Sequence, residues 1–360
     1  MKHIKSKEAL VCIAAGYSQL PLILKAKSLG YIVIAIDKNK KAPGFNFADF
    51  KICKSTHHVD SILKSLKKYK SKFTFRGVIN RSAGPPVITA SKISKYLNLP
   101  GMPILSSINL VNKDKMRSSF FKKKIVAPEF RIFKTKNFNE KNIINFPIVF
   151  KPGLSLVGKS GVSIVDSKKK ILPAVKYAEK FTINNKILIE EYLEGPNLSL
   201  ISFVNKGALY PITLLQEINE QKKNGSIVPK GFRTLKKKHH KWKSKAESIA
   251  LEIISKYKIQ QSPLMISFRR KNKKDLCVIE VHLDLGGDLL MEAFFSKAFT
   301  FDFLKLAIEM CTGSLKNPIK LKTKPTAIFY NDGAVHKCSY RILTAKSEEL
   351  LDKKIAILKI

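Results

Sequence analysis

The sequence predicts an α/β domain at the N-terminal end, followed by a larger α+β region. Residues 9–37 follow a strand–helix–strand pattern, in which the apolar runs ALVCIAA and YIVIAID flank a helical segment that ends at Gly30. Continuous apolar strands of this kind are typical of a parallel sheet covered on both faces. From Glu129 to Leu215, in contrast, short strands follow one another with small gaps, which favours antiparallel pairing.

The later segments extend this pattern. We expect a strand at RGVIN, a helix after Pro85-Pro86, a helix at about 113–124, one helix near 167–180, and the helix WKSKAESIALEIISKY followed by the strands PLMISF and LCVIEVHL and two helices. Residues 216–240 are polar, basic and aperiodic, which predicts a mobile loop. The predicted units are 1–112, then 113–314 with subdomains of about 113–193 and 194–314, and a small tail at 315–360 with β-strands.

Length and composition indicate a multidomain globular protein. A chain of 360 residues exceeds one typical compact core, and 44% hydrophobic residues are enough to fold it. The net charge of +40 comes from 67 Lys and Arg against 27 Asp and Glu, but only 8 of the basic residues are arginines. Because the lysines are spread over the whole chain, the charge indicates a solvated surface that prefers anions, and not a specific nucleic-acid interface.

The cysteines and the N-terminus favour a soluble cytoplasmic protein. The five cysteines are widely spaced and form no CxxC pair, which is typical of a reducing compartment. The apolar run ALVCIAA is too short for a signal sequence or a membrane span. The sequence leaves a homodimer open.

Residues 153–160, GLSLVGKS, satisfy the phosphate-binding pattern GxxxxGK[ST]. A working P-loop leads directly into a helix whose N-terminus holds the phosphates, whereas the strand-like GVSIV follows here. A strand–loop–strand hairpin can still cover a phosphate chain with backbone N–H groups and the charge of Lys159, and Ser160 completes this candidate set. The alternative is an ordinary glycine-rich hairpin.

An ordered series of motifs resembles the ATP-grasp superfamily of carboxylate–amine or carboxylate–thiol ligases. In chain order the motifs are DKMR at 114–117, FPIVFKP, the glycine loop with GVSIV, ILIEEYLEGPNLSL and LCVIEVHLDLGGDLL. The segment AAGYSQLPLILKAKSLGYIVIAID is similar to the Rossmann-like domain that precedes the grasp in biotin-carboxylase-like and D-alanine-ligase-like members. The resemblance spans roughly residues 9–312.

The resemblance implies an N-terminal pre-ATP-grasp α/β domain, two α+β subdomains that close on ATP, and a short C-terminal β-containing tail. It also implies a reaction in which a small carboxylate takes the γ-phosphate of ATP. An amine or similar nucleophile then attacks the acylphosphate. Such a site needs cations on the phosphates, a divalent metal and groups that read adenine.

The resemblance assigns nucleotide-binding roles to residues of both subdomains. Lys115 matches the first phosphate lysine and Lys151 the second, although surface charge is the alternative for any lysine in this chain. At the hinge, Glu190 is implied to accept a hydrogen bond from the adenine amino group, while the backbone at Glu191 and Leu193 completes recognition of the base.

The polar residues beyond the hinge depart from the family pattern. The superfamily usually places an acid on each of two adjacent strands, an Asn two residues after the second acid, and then an Arg. Glu280 fits the second acid, but Ser267, His282 and Asp284 stand at the other three positions. The position of the ribose-binding Glu is Asn197, which we keep in the nucleotide set.

The altered strand has two interpretations. Glu280, His282 and Asp284 alternate along a strand and so share one face, where a carboxylate–imidazole–carboxylate row can bind Mg²⁺ or Mn²⁺. Alternatively, Glu280 is a remnant of a lost metal site and His282 is a hydrogen-bonded polar residue. The residues favour neither interpretation clearly.

The sequence is therefore compatible with three functions. The first is an ATP-dependent ligase that uses a small carboxylate and an amine. The second is a catalytically degenerate relative that binds nucleotide or acts as a scaffold, which the four departures suggest. The third is a basic nucleic-acid-binding protein, suggested only by the pI of about 10.0.

Overall fold

A computed structural model describes residues 7–138, 145–155, 159–236, 239–272, 275–287, 290–315, 322–331 and 339–357. The described residues form three sheets. One is parallel and lies in the N-terminal part, and the other two are antiparallel and follow it in the chain. This arrangement confirms the predicted combination of an α/β domain with an α+β region.

The N-terminal domain is a four-stranded parallel sheet with helices between its strands. Its elements are β1 (Glu8–Ile13), α1 (Leu20–Ser28), β2 (Ile32–Asp37), β3 (Phe50–Cys53), α2 (Val59–Lys70), β4 (Thr74–Asn80), α3 (Pro85–Tyr96) and α4 (Ile104–Val111). The strand order is β3-β2-β1-β4. β1 lies inside the sheet and is buried at every position after Glu8, which explains its unbroken apolar run.

The second sheet has four antiparallel strands in the order β5-β8-β6-β7. The elements of this region are α5 (Lys113–Lys123), β5 (Phe130–Lys134), β6 (Ile148–Pro152), β7 (Ser163–Val165), α6 (Ile171–Phe181) and β8 (Lys186–Glu191). β6 and β7 pair antiparallel across the glycine loop, so this segment is a hairpin and does not lead into a helix. The rejection of a P-loop fold is thereby confirmed, while Gly158 lies outside the described residues.

The third sheet has seven strands in the order β13-β12-β9-β10-β11-β14-β15. Its region contains β9 (Leu198–Asn205), β10 (Ala208–Gln221), β11 (Ile227–Thr234), α7 (Trp242–Tyr257), β12 (Gln261–Arg270), β13 (Leu276–His282), a π-helical turn (Leu290–Phe294), α8 (Phe295–Ala298), α9 (Phe303–Thr312), β14 (Thr326–Tyr330), β15 (Tyr340–Thr344) and α10 (Glu348–Ile357). The two strands of the predicted tail therefore extend this sheet beside β11.

The prediction of a mobile loop at 216–240 is wrong. Residues 216–221 complete β10, and residues 227–234 form β11, which pairs with β10 in an antiparallel hairpin. Gly225 turns the hairpin with a φ of 83°, and its carbonyl accepts a hydrogen bond from the Ile164 amide of β7 at 2.9 Å. The polar residues misled the prediction because several of them face other polar groups inside the protein.

The N-terminal domain packs against the seven-stranded sheet. One core cluster contains Leu10 and Leu22 of the N-terminal domain together with Phe203 of β9 and Phe303 of α9. Just after β4, the buried side chain of Arg81 also crosses between the two regions. Its Nε donates to the Gly286 carbonyl at 2.5 Å, its Nη1 to the Ser18 carbonyl at 2.6 Å, and its Nη2 to Glu292 Oε2 at 2.9 Å.

Within the described residues, no helix combines the length and the apolar character that a membrane crossing requires.

Candidate active site

Lys151, Glu190 and Arg117 form a buried charged cluster between α5 and the four-stranded sheet. Lys151 on β6 and Glu190 on β8 are diagonal neighbours in the strand ladder, and Lys151 Nζ donates to Glu190 Oε2. Arg117 Nε of α5 donates to the other oxygen of the same carboxylate, Glu190 Oε1, at 2.5 Å. The side chains of Glu190 and Arg117 are each 1% exposed, and that of Lys151 is 10% exposed. One carboxylate is thus held between two buried cations.

Burial and neighbouring charges shift the pKa values of this cluster. Burial and the charge of Arg117 lower the pKa of Lys151 from its ordinary value, although Glu190 partly opposes them. Burial raises the pKa of Glu190, but the charges of Arg117 and Lys151 outweigh it and leave that pKa below its ordinary value. We therefore treat Glu190 as ionised at neutral pH.

Lys115 does not face this cluster. It lies on the exposed side of α5 and makes no hydrogen bond or ion pair with the described residues. Lys113 and Arg117 point into the site, because residues four apart share one face of a helix and a residue two positions away lies on the opposite side. Lys113 Nζ lies 2.5 Å from Glu280 Oε1. The i, i+4 spacing of Lys113 and Arg117 is visible in the sequence, but the comparison of motifs selected Lys115.

Lys159 joins the glycine loop to the seven-stranded sheet. Its Nζ donates to Glu217 Oε2 at 2.9 Å and to Asn219 Oδ1 at 2.7 Å, both on β10. Ser160 follows in the same turn and is half-buried. Lys159 thus spans from the hairpin of one sheet to a strand of the other, which places it over the space between them.

We call this space the cleft and define it by Lys151, Lys159, Glu217 and Glu280. It lies between the four-stranded antiparallel sheet and the seven-stranded sheet. Lys159 and the tip of the β10–β11 hairpin both connect the two sheets beside the cleft.

The hinge residues are held by an arginine that the sequence did not identify as part of the site. Arg269 of β12 donates through Nη1 to the carbonyl of Leu193 and through Nε to Asn197 Oδ1 at 2.5 Å. Its guanidinium also lies 5.0 Å from the centre of the Tyr192 ring. Glu191 points outward and accepts the Glu129 amide at 3.0 Å. The carbonyl of Leu193 is therefore already engaged in this structure.

Glu280 and His282 lie together on β13. The His282 Nε2 and Glu280 Oε2 atoms are 3.8 Å apart, and Lys113 holds the other oxygen of Glu280. Burial would raise the pKa of Glu280, but the charges of Lys113 and His282 lower it far below the ordinary value. Asp284 lies beyond the end of β13 and so does not continue the predicted row along the strand; it accepts the Gly286 amide at 2.8 Å, and burial raises its pKa.

Glu217 is a carboxylate of the cleft that the sequence reasoning missed. Its Oε1 accepts hydrogen bonds from Ser199 Oγ at 2.5 Å and from Ser267 Oγ at 3.2 Å. Burial raises its pKa, but the charge of Lys159 and the hydrogen bonds from Ser199, Lys159 and Asn219 bring it down to about 2. No local signal in the sequence marks this residue, because its partners come from β9, β12 and the glycine loop.

The proposed metal ligands do not form a complete metal site. Among the described residues, no group of three or more His, Cys, Asp and Glu side chains is arranged to hold a metal ion. Glu280 and His282 are close to each other, but Asp284 is engaged with the backbone, and Asp288 lies outside the described residues. A metal at this position therefore stays a prediction.

Parts of the chain are similar in sequence to known proteins. A family model of the ATP-grasp domain matches residues 144–292. The formate-dependent phosphoribosylglycinamide formyltransferase of Prochlorococcus marinus (strain AS9601) is 29% identical over 203 residues, which cover 53% of this chain and 49% of that protein. The protein of the same name from Trichormus variabilis is 24% identical over 200 residues, with the same two coverages. The chain spans about half the length of the curated relatives it matches.

Solved structures resemble the chain over most of its length. An N5-carboxyaminoimidazole synthetase from Staphylococcus aureus, complexed with ADP, superposes with a TM-score of 0.77 at 12% identity and covers 97% of this chain and 96% of that one. An L-amino acid ligase from Bacillus licheniformis superposes with a TM-score of 0.72 at 18% identity, with coverages of 91% and 80%. At such identities the likeness shows the fold. The family match over residues 144–292 identifies an ATP-grasp domain in this chain, and the solved structures show the same fold over most of its length.

Proposed function

We propose that this chain is an ATP-dependent ligase that activates a small carboxylate as an acylphosphate and joins it to an amine, with release of ADP and phosphate. The observation that carries the proposal is the Lys151–Glu190 pair, a buried cation beside the hinge acid at the positions that the superfamily uses for nucleotide binding. The curated relatives are named for a formyl transfer that depends on formate. No comparison supports the degenerate or the nucleic-acid alternative.

The cleft is suited to bind a nucleotide. Lys151, Arg117 and Lys113 place three basic side chains at its base, and Nη1 of Arg117 has no hydrogen-bond partner in the described part of the chain. Lys159 adds a fourth cation from the glycine loop. Fixed positive charges in a water-poor site stabilise the negative charge that develops on a transferring phosphoryl group.

The proposed reaction has two steps. One carboxylate oxygen of the acid bonds to the γ-phosphorus of ATP, and the bond between that phosphorus and the bridging oxygen breaks to release ADP. The amine nitrogen then attacks the acyl carbon and loses a proton. Inorganic phosphate leaves with the former carboxylate oxygen, so one ATP is used for each amide formed.

The donors in the described part of the chain do not make up a complete site for a divalent cation. A metal would neutralise phosphate charge, and Mg²⁺ prefers oxygen ligands. Glu280 is the acid best placed to offer one, whereas Lys113 already occupies one of its two oxygens. We therefore assign no step of the reaction to a metal.

An isotope experiment tests the proposal. The full chain is incubated with ATP, an amine and a carboxylate labelled with ¹⁸O, using formate and amino acids in turn, and the released phosphate is analysed by mass spectrometry. A ligase transfers one labelled oxygen to phosphate, and Lys151→Ala abolishes the transfer, while Lys169→Ala, which alters an exposed lysine, preserves it. Release of unlabelled phosphate with every acid would mean that the chain is an ATPase.

A further inference from the structure

Arg117 has a hydrogen-bonding group that the protein itself does not use. Its Nε bonds to Glu190 and its Nη2 to the Ile279 carbonyl at 2.7 Å, but Nη1 is buried and has no partner among the described residues. A buried charged donor without a partner is costly, since it has lost water and gained nothing in return. At a candidate ligand site, a donor of this kind points to an acceptor atom of the ligand as its partner.

The charges around Arg117 do not balance. Arg117 and Lys151 bring two positive charges to the single carboxylate of Glu190, and all three side chains are nearly closed to solvent. The nearby pair of Lys113 and Glu280 is neutral as a unit. When Lys151 is protonated, the buried cluster carries one excess positive charge, which an anion stabilises and a neutral base does not.

Arg117 also connects the two sheets that bound the cleft. It bonds to Glu190 on β8 and to the carbonyl of Ile279 on β13. Arg117 therefore bridges the two sheets at the base of the cleft. A planar guanidinium with several donors in fixed directions can keep one contact to the protein while another turns to a phosphate oxygen.

We propose that Arg117 is a further nucleotide-binding residue, which donates to the phosphate groups of the nucleotide and thereby supplies the role that the motif comparison assigned to Lys115. This inference rests on the proposed function. Lys115 serves as a natural control, since it lies on the same helix, carries the same charge and faces solvent.

Calorimetric titration of the full chain tests the inference, with ADP as the ligand and adenosine as a probe that lacks phosphates. In Arg117→Gln, we expect the Kd for ADP to rise about tenfold or more, because a charged hydrogen bond is lost, and the Kd for adenosine to change by less than about twofold. In Lys115→Gln, both constants stay within about twofold of the wild type. Melting curves verify that each variant is folded.

If Arg117→Gln fails to fold, Arg117→Lys keeps a charge beside Glu190 and still loses the guanidinium fork, so we expect a rise of about fivefold for ADP alone. Unchanged ADP binding in a folded Arg117 variant would overturn the inference. Equal losses for ADP and adenosine would also overturn it, since they would place Arg117 at the base. A wild-type chain that binds no ADP would contradict the proposed function itself, which separates the two failures.

Discussion

Glu217 on β10 accepts a hydrogen bond from Ser267 on β12 at 3.2 Å, so a carboxylate lies beside the position where the superfamily pattern places an acid. Ser199 on β9, the strand between them, donates to the same oxygen at 2.5 Å. Ser267 is also the ladder partner of Glu280 on β13. The strand β12 thus has a serine where the pattern has an acid, but the carboxylate of Glu217, two strands away on β10, reaches this position and is held by Lys159.

We expect Glu217 to make stability depend on acid pH. Its pKa of about 2 in the folded protein lies below the ordinary 4.5, so ionised Glu217 stabilises the fold above about pH 4.5, and this contribution is lost as the pH falls from 4.5 towards 2. The difference in melting temperature between wild type and Glu217→Gln should be constant from neutral pH to about pH 5.5 and should shrink below about pH 4.5. Glu179→Gln, an exposed control on α6, should show no difference at any pH. A difference between wild type and Glu217→Gln that grows on acidification would contradict the assigned contacts.

The side chains of Lys113 on α5 and Glu280 on β13 should be energetically coupled. Lys113 and Glu280 interact directly, so a double-mutant cycle of Lys113→Ala and Glu280→Gln in urea unfolding should give a coupling of roughly 1 kcal/mol or more. The same cycle with Lys115→Ala should be additive within about 0.5 kcal/mol, since Lys115 faces solvent. Coupling at Lys115 and none at Lys113 would mean that α5 is rotated relative to this structure.

Arg81 should be a main contact between the N-terminal domain and the rest of the chain. Arg81→Met removes donors from three carbonyl groups and leaves Glu292 without its cation, so we expect a loss of about 3 kcal/mol or more in the free energy of unfolding. Arg341→Met, an exposed arginine on β15, should change that free energy by less than about 0.5 kcal/mol. Similar losses in the two variants would show that Arg81 does not hold the domains together.

Local patterns in the sequence were sufficient for much of the fold. The βαβ opening follows from apolar periodicity, and the antiparallel pairing of β6 with β7 follows from the strand-like residues after the glycine loop. The ordered motifs put Lys151 and Glu190 in one candidate set, and the structure shows that their side chains contact each other. These features depend on residues that are close in the sequence or that belong to a known order of motifs.

The features that were missed depend on distant contacts. Glu217 lies in a segment whose polarity resembles a loop, and its partners Ser199 and Lys159 come from two other elements. Arg269 is one of two adjacent arginines, and only the fold shows that it reaches Asn197. Lys115 is a different case, because helix periodicity alone indicates that Lys113 and Arg117 share one face of α5 and that Lys115 lies on the opposite side.

The central claim is that the cleft at Lys151 binds the nucleotide, and the melting temperature with and without ADP tests it most directly. Saturating ADP should stabilise the wild type by about 2–4 kcal/mol through mass action, and Lys169→Ala should respond in the same way. Lys151→Ala should lose most of this stabilisation. If ADP leaves the wild type unchanged, or stabilises Lys151→Ala equally, the assigned nucleotide site is wrong.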